Sequence, residues 1–518
     1  MALPCLIRPH SRRGPSEPIH LSQADRQTDQ QRLRVIIVGG SIAGLTLAHC
    51  LHRANIDHIV LEKRDEIAPQ EGASIGIWPN GGRMLEQLGL YEELEKLTEP
   101  LRMMHVAYPD GFYFDDALPR TVLERFGYPI IFLDRQRFLE TLYRTYPDKW
   151  KIVTNKRVTE VLSSESSARV ITEDGTVYEG DLVIGADGVH SLVRREMWRL
   201  ADQKQAGLIS HREKTNMAVE FSCIYGISAA VDGLRGGECV NSYMNGMTVL
   251  TFHGKRGRVY WFLIQKLPKR YTYPNTPRYT VDDAGRICAQ YCDTRIWKDI
   301  RIGQLWDSRE VVSMTALEEN LFAKWHFERI GLMGDSVHKV SMLSTTMALY
   351  WTQLRTGQMT PNIGQGANSA IEDAAVLSSV LVHLTTTEGP RRPSSARIHR
   401  LLQDYQAARY ERARIVYHKS RFGARFQSRN DAVKRIVGRY LVPRVRNHLA
   451  NLSSALIANG ELIGFLPRPK RSGPGWDRFR EKGLWVPYTP LALLCVILFV
   501  QQMMPLLEVA SPLPPASS

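Results

Sequence analysis

Arg34-Val-Ile-Ile-Val38 runs straight into Gly39-Gly-Ser-Ile-Ala-Gly44, and Leu45-Thr-Leu-Ala-His-Cys-Leu-His52 follows without a break. The first five residues are a short, largely β-branched run, the pattern of a buried strand. Leu45, Ala48 and Leu51 then recur at helical spacing. His58-Ile-Val-Leu-Glu62 supplies a second strand. Strand, glycine turn, helix and strand in this order predict an α/β chain that opens with a Rossmann-like dinucleotide-binding unit. Gly39 permits the tight turn and Gly44 lets helix and strand approach closely. Gly39, Gly40, Ser41 and Gly44 are therefore candidate cofactor-binding positions. Ser41 stands where the fingerprint has its second glycine, and it is small enough to keep the backbone near a pyrophosphate. The helix start offers free N–H groups and partial positive charge. Glu62, at the end of the second strand, can bond both ribose hydroxyls.

The whole chain has 518 residues, enough for two to three domains at ~100–200 residues each. Its 43% apolar and 23% charged content is globular, which excludes a disordered chain, a collagen and a polytopic membrane protein. Sixty-seven Lys and Arg against 53 Asp and Glu give a net charge of +14. Much of the excess lies in Arg409, Arg412, Arg414 and the basic residues that follow to Arg446. A solvated helical face is expected there, with attraction to an anionic membrane surface as the alternative. Nucleic acid is set aside, because the segment has few aromatic residues and no recognised binding motif. The seven cysteines show no paired spacing, and Cys288-x-x-x-Cys292 lacks the second pair that zinc needs.

Residues 1–33 are polar and lack the ~7–15-residue apolar core of a secretory signal, so a disordered arm is expected. Between Lys482 and Glu508 no residue is charged, and Leu491–Val500 is continuously apolar. The window 486–507 reaches the ~20 residues of a span. With Lys470, Arg471, Arg478, Arg480 and Lys482 ahead of it, it predicts a single membrane helix and a cytosolic main body. The alternative is a tail packed on the protein or lying in the interface.

Two later motifs repeat the strand-to-acid arrangement. Asp181-Leu-Val-Ile-Gly-Ala-Asp187-Gly-Val-His-Ser191 and Ile330-Gly-Leu-Met-Gly-Asp335-Ser336 each deliver an Asp among small residues at the end of an apolar strand. A simple NAD dehydrogenase needs neither, whereas the longer FAD does. The three motifs together resemble the group A flavoprotein monooxygenases, over about residues 34–385. Glu71-Gly-Ala-Ser-Ile-Gly-Ile-Trp-Pro-Asn80, Leu133-Asp-Arg-Gln-Arg-Phe-Leu139 and Thr360-Pro-Asn-Ile-Gly-Gln-Gly-Ala-Asn368 are similar to the fungal members of meroterpenoid and indole-diterpene pathways.

The resemblance implies bound FAD, with NAD(P)H and O2 as co-substrates and oxygen delivered from a flavin C4a-hydroperoxide. It implies epoxidation of a prenyl-chain alkene before cyclisation, and frequent membrane association. It implies Glu62, Gly76, Arg135, Asp335 and Ala367 as FAD contacts, and Asp187 in a motif shared by FAD and NAD(P)H. Gly364, Gly366, Ala367 and Asn368 precede the apolar-periodic helix of Ile371, Ala374, Ala375 and Leu377, whose first amides would face the flavin. Tyr225 falls where relatives that hydroxylate aromatics place a polar active-site group. Arg194 and Arg195 could meet an NADPH phosphate, but a solvated helix is the preferred reading.

The expected layout is a GR2-type FAD-binding domain over 34–200 and 321–385, with a mixed-sheet substrate domain inserted at 201–320. A basic helical region at 386–482 and the anchor window complete it. The aromatic-rich strands Met217–Ser228 and Tyr243–Ile264 are the candidate walls of a dry substrate slot. Two other functions stay open: hydroxylation of a phenolic polyketide, and non-catalytic binding on a flavin fold. Finally, Gly334-Asp-Ser-Val-His-Lys339 and Met359-Thr-Pro-Asn362 run together in the family pattern, but residues 340–358 separate them here. Val340-Ser341-Met342 can be encoded with an intron start and Gln358 with an intron end, so a short retained or mis-called intron is expected, with a true surface loop as the alternative.

Overall fold

The computed structural model describes residues 33–71, 74–339, 364–388, 392–429, 435, 437–444 and 447–480. The expected arm up to residue 32, the intron-like segment 340–358 and the anchor window 486–507 lie outside the described residues. No described helix is long and apolar enough to cross a membrane.

Arg34–Val38 is a central strand of a six-stranded sheet, with Asp57–Leu61 on one side and Leu182–Gly185 on the other, both parallel to it. Ile330–Leu332 continues the sheet in parallel beyond Leu182–Gly185, and His326–Phe327 closes that side antiparallel. Val35, Ile36 and Ile37 are fully buried, because the helix Ile42–Arg53 covers one face of the parallel sheet and the three-stranded sheet that includes Val177–Gly180 covers the other. The helix Ile42–Arg53 packs against the long helix Gln365–Glu388. Because the strands are parallel, their carboxyl ends share one edge. That edge carries Gly39, Glu62, Ala186–Asp187 and Met333–Asp335 from four distant parts of the sequence.

The second sheet has eight strands. Ala218–Ser228 lies between Val259–Thr272 and Arg309–Leu321, antiparallel to both. Met247–His253 and Glu238–Met244 follow outward. The expected boundary at residue 200 is crossed here. Met103–Ala107 and Tyr113–Asp116 extend this sheet at one edge, and His338–Lys339 pairs with Asn320–Leu321 at the other. The substrate sheet thus takes strands from both segments of the FAD-binding part, which ties the two together.

The basic C-terminal region departs from a solvated face. In the 33-residue helix Ser395–Gln427, Arg409 is fully buried and pairs with Glu372 and Asp373 of the helix Gln365–Glu388. Arg412 grips Glu372 from one turn on, and Ala413 and Val416 are buried beside it. Among the described side chains, it is the other side of the helix that is solvated, where Arg414 pairs with Glu411. The side toward Gln365–Glu388 carries the small and apolar residues, and an arginine on that side must find a carboxylate. Farther on, Trp476 is buried edge-on against Phe126, with the Arg83 guanidinium 3.9 Å above its ring.

Candidate active site

The shared strand edge opens on a cavity of about 850 Å³ whose two ends differ in kind. At the first end the wall is backbone. Gly39 has φ +111°, and a Cβ there would come 2.4 Å from the Ala186 carbonyl oxygen. A Cβ on Gly44 would lie 1.9 Å from the Gly39 oxygen, so the helix Ile42–Arg53 can start this close to the turn only with glycine. Gly39, Ser41, Ile42 and Ala43 line the cavity, while Gly40 and Gly44 sit behind it as structural members of the turn. Glu62 is buried and held by two amides: the Gly40 N–H donates to Oε2 at 2.7 Å and the Arg64 N–H to Oε1 at 3.0 Å.

Ser41, the departure from the glycine fingerprint, has a specific task. Its Oγ accepts from Arg135 at 2.9 Å, while the other guanidinium nitrogen reaches Glu71 at 2.7 Å. The side chain thus fixes a guanidinium beside the helix start, where a phosphate would sit. Burial pulls the Arg135 pKa down and Glu71 opposes the shift. Gly76 also lines this wall, and a Cβ on it would strike Phe132 at 2.7 Å.

Asp187 lines the cavity, but its carboxylate is committed to the protein. It accepts from Ser191 Oγ at 2.5 Å, from the Leu192 N–H at 2.6 Å and from Ser336 Oγ at 3.2 Å. It therefore starts the helix Leu192–Lys204 and ties two strand ends together. Arg194 is neither solvated nor free for a phosphate. It is buried and donates to the Val189 and Ser336 carbonyls at 2.7 Å each, which clamps the same loop. Arg195 is exposed and does line the cavity. Asp335 stands exposed on the opposite wall.

Gly364 is the residue immediately before the helix Gln365–Glu388, so Gly366, Ala367 and Asn368 form its first turn rather than precede it. Gly364, Gly366 and Ala367 line the cavity, and the orphan amides of the turn open onto it. Asn368 does not reach the cavity. Fully buried, it donates to the Gly76 and Gly364 carbonyls at 3.0 and 2.7 Å and accepts from the Trp78 N–H at 3.1 Å.

Behind this end lies a buried ionic network. Asp373 accepts from the Gly334 N–H at 2.8 Å, bonds His338 Nε2 at 2.6 Å and accepts from Arg409 Nε at 2.8 Å. Glu372 accepts from Arg409 at 2.7 Å and from Asn80 at 2.9 Å. Burial alone would raise Asp373, but His338 and Arg409 bring it down to about 2. Sequence reading missed this network. Two adjacent carboxylates inside an apolar-periodic helix were its only signal.

At the second end the wall is side chains. Cys223, Tyr225, Leu250, Phe252, Phe262, Ile264 and Leu317 project from strands of the eight-stranded sheet. Tyr225, Phe262 and Leu250 stand directly opposite one another across three strands. Phe252 stacks on Phe132 at 3.7 Å between ring centres, which joins this apolar slot to the backbone-walled trench at the first end. Burial pushes the Tyr225 phenol well above its ordinary range, with Cys223 and Asp335 adding to the effect. Burial raises the Cys223 thiol as well.

A wall that excludes Cβ atoms, a helix start, a fixed guanidinium and a buried carboxylate on the cavity wall fit a dinucleotide diphosphate. The family described as FAD binding domain matches residues 32–345. An FAD-dependent monooxygenase of Emericella variicolor, andE, is 74% identical over 94% of this chain and 99% of its own length. The monooxygenase nvfK of Aspergillus novofumigatus is 57% identical over 87% of this chain and 92% of its own. The Klebsiella pneumoniae protein HpxO, in complex with FAD and uric acid, superposes with TM-score 0.60 at 22% identity, covering 80% of this chain and 94% of that one.

Proposed function

The chain belongs to the FAD-dependent monooxygenases, and on that footing we propose that it epoxidises a prenyl-chain alkene of a meroterpenoid or related terpenoid intermediate before cyclisation. Bound FAD, reduced by NAD(P)H, supplies activated oxygen. The chain's own residues supply placement. Gly39, the Ile42 helix start and Arg135 take the diphosphate, and Glu62 takes the ribose. Asp335 faces the ribityl or phosphate oxygens, and the Gln365–Ala367 amides hold negative charge on the ring. Leu250, Phe252, Phe262, Ile264 and Leu317 orient an apolar chain and exclude water.

The observation that carries the proposal is the lack of a base on the slot wall among the described residues. Ring hydroxylation of a phenol wants proton removal, whereas an isolated alkene needs none. The ionisable groups on that wall, Tyr225 and Cys223, are both held protonated by burial. Product analysis with NADPH, O2 and a farnesylated phenol tests the proposal. An epoxide on the chain is expected, and a hydroxylated ring would replace this reading with the aromatic hydroxylase. A colourless protein that consumes no NADPH would replace it with a non-catalytic binder.

Two further parts of the proposal concern segments outside the described residues. The uncharged stretch after Lys482 is taken as a single anchor with the enzyme facing the cytosol. Deleting it should move the protein from the membrane to the soluble fraction with flavin retained. Residues 340–358 are taken as intron-derived. Mature transcript that encodes them in an active enzyme would overturn that.

A further inference from the structure

The slot does not end at its apolar residues. Leu250 lies on the cavity wall, and its direct cross-strand partner on the outward side is Asn241. Cross-strand partners share a face of the sheet, as do residues two apart along a strand. Asn241 and Tyr243 are therefore on the slot's own face. The helix Ser395–Gln427 approaches from above. Ser420 lines the cavity, and Gln427, seven residues on, shares its side of the helix. The Gly246 N–H donates to the Ser428 carbonyl at 2.8 Å, which pins the helix end to the turn between Glu238–Met244 and Met247–His253. Sheet and helix thus bring Asn241, Tyr243 and Gln427 together beyond Leu250 and Ser420, next to the cavity wall rather than on it.

These groups are costly where they stand. Gln427 is fully buried, and neither its Oε1 nor its Nε2 has a partner in hydrogen-bonding geometry among the described residues. Asn241 is buried, its Oδ1 also lacks such a partner, and its amide nitrogen donates to the weak acceptor Met104 Sδ at 3.1 Å. The Tyr243 hydroxyl lies beside both amides. Unpaired polar atoms of this kind are rare in a folded interior, because each has given up its hydrogen bonds to water without replacement. A cluster of them beside an apolar slot marks a place where something polar is bound.

We infer that Asn241, Tyr243 and Gln427 form a head-group subsite, which binds an uncharged oxygen function, hydroxyl or carbonyl, on the end of the substrate remote from the alkene. The inference rests on the epoxidation proposed above and names what must be joined to the prenyl chain. The amide oxygens accept from a hydroxyl, while the amide nitrogens and the phenol donate to an oxygen. Burial keeps Tyr243 protonated, so it serves as a donor rather than an anion. With the head fixed here, the chain extends past Leu250, Phe262 and Tyr225 toward the helix start at Gln365. A site built to hydrogen-bond a group strongly rejects the analogue that lacks it.

The test uses full-length holoenzyme, with binding read from perturbation of the flavin absorbance. The probes are farnesylated orcinol, which has head and chain, and farnesene, which has only the chain. Wild type should bind farnesylated orcinol at least ten-fold more tightly. Tyr243→Phe and Gln427→Met, both close in shape to the originals, should each bring the two affinities within three-fold and leave that for farnesene unchanged. If one variant loses its flavin, the other decides. Equal weakening of both probes, or no preference in wild type, overturns the subsite. Selective binding without epoxide formation would leave the subsite standing and remove the epoxidation. Epoxide formation without selectivity would do the reverse.

Discussion

At the nucleotide end of the cavity the wall is made of Gly39, the Ser41–Ile42 helix start and Gly364–Gly366, with Arg135, Glu62 and Asp335 placed around them. At the substrate end it is made of Leu250, Phe252, Phe262, Ile264 and Leu317, with little backbone showing. The first end is built where parallel strands stop, so each contributor sits at a fixed offset from an apolar run. The second is built from the middle of antiparallel strands, where contributors meet through register. The ends are also supported differently. The trench rests on the charged network of His338, Asp373, Arg409 and Glu372, and the slot on apolar packing.

That contrast gives its largest test at Arg409. Arg409→Met removes the buried cation shared by Glu372 and Asp373, leaving Arg412 on the first and His338 on the second, and should destabilise the fold by about 3–5 kcal/mol. Phe262→Leu, in the slot, should cost less than about 1.5 kcal/mol. Equal losses in denaturant unfolding would erase the contrast.

A second test is the pH dependence of stability. The folded-state value of Asp373 is depressed to about 2, so its contribution is present above the ordinary aspartate value of ~3.9. It is lost as pH falls through the folded value. The contribution is about 2–3 kcal/mol, and Asp373→Asn should remove that part of the acid slope. A wild type and variant with the same slope between pH 5 and pH 2.5 would sink the assignment.

Asp335→Ala sharpens the trench side alone. Loss of hydrogen bonds to the cofactor should cost about 1.5–3 kcal/mol, read as at least ten-fold weaker FAD retention. Stoichiometric flavin in that variant would move the contact elsewhere.

The smallest effect is expected at Tyr225. If the slot only places an alkene, Tyr225→Phe should change kcat/KM by less than about three-fold, under ~0.7 kcal/mol. A loss of a hundred-fold would make the hydroxyl a catalytic group and favour phenol chemistry.

Much of the trench was legible because backbone geometry dictates residue type. Gly39 and Gly44 are where a Cβ cannot go, and Glu62 and Asp335 end strands that announce themselves by apolarity. Three residues with the right spacing turned out to act at one remove. Gly40 holds Glu62, Asn368 braces the Gly76 and Gly364 carbonyls, and Asp187 starts a helix. Spacing finds the motif but does not say which way each side chain turns. The slot was legible only as two aromatic-rich strands, because Leu250 meets Phe262 by pairing across strands.

The sequence by itself determined the βαβ start, the three strand-end motifs and hence an FAD-binding α/β fold, since each follows from local periodicity and steric rules a few residues long. Tertiary structure alone decided that Ser41 holds Arg135, and that Arg409 and Arg194 are buried rather than solvated. It also brought Asn241, Tyr243 and Gln427 side by side. In each of these the partner lies far along the chain, and burial converts an ordinary polar residue into one whose partner must be specified.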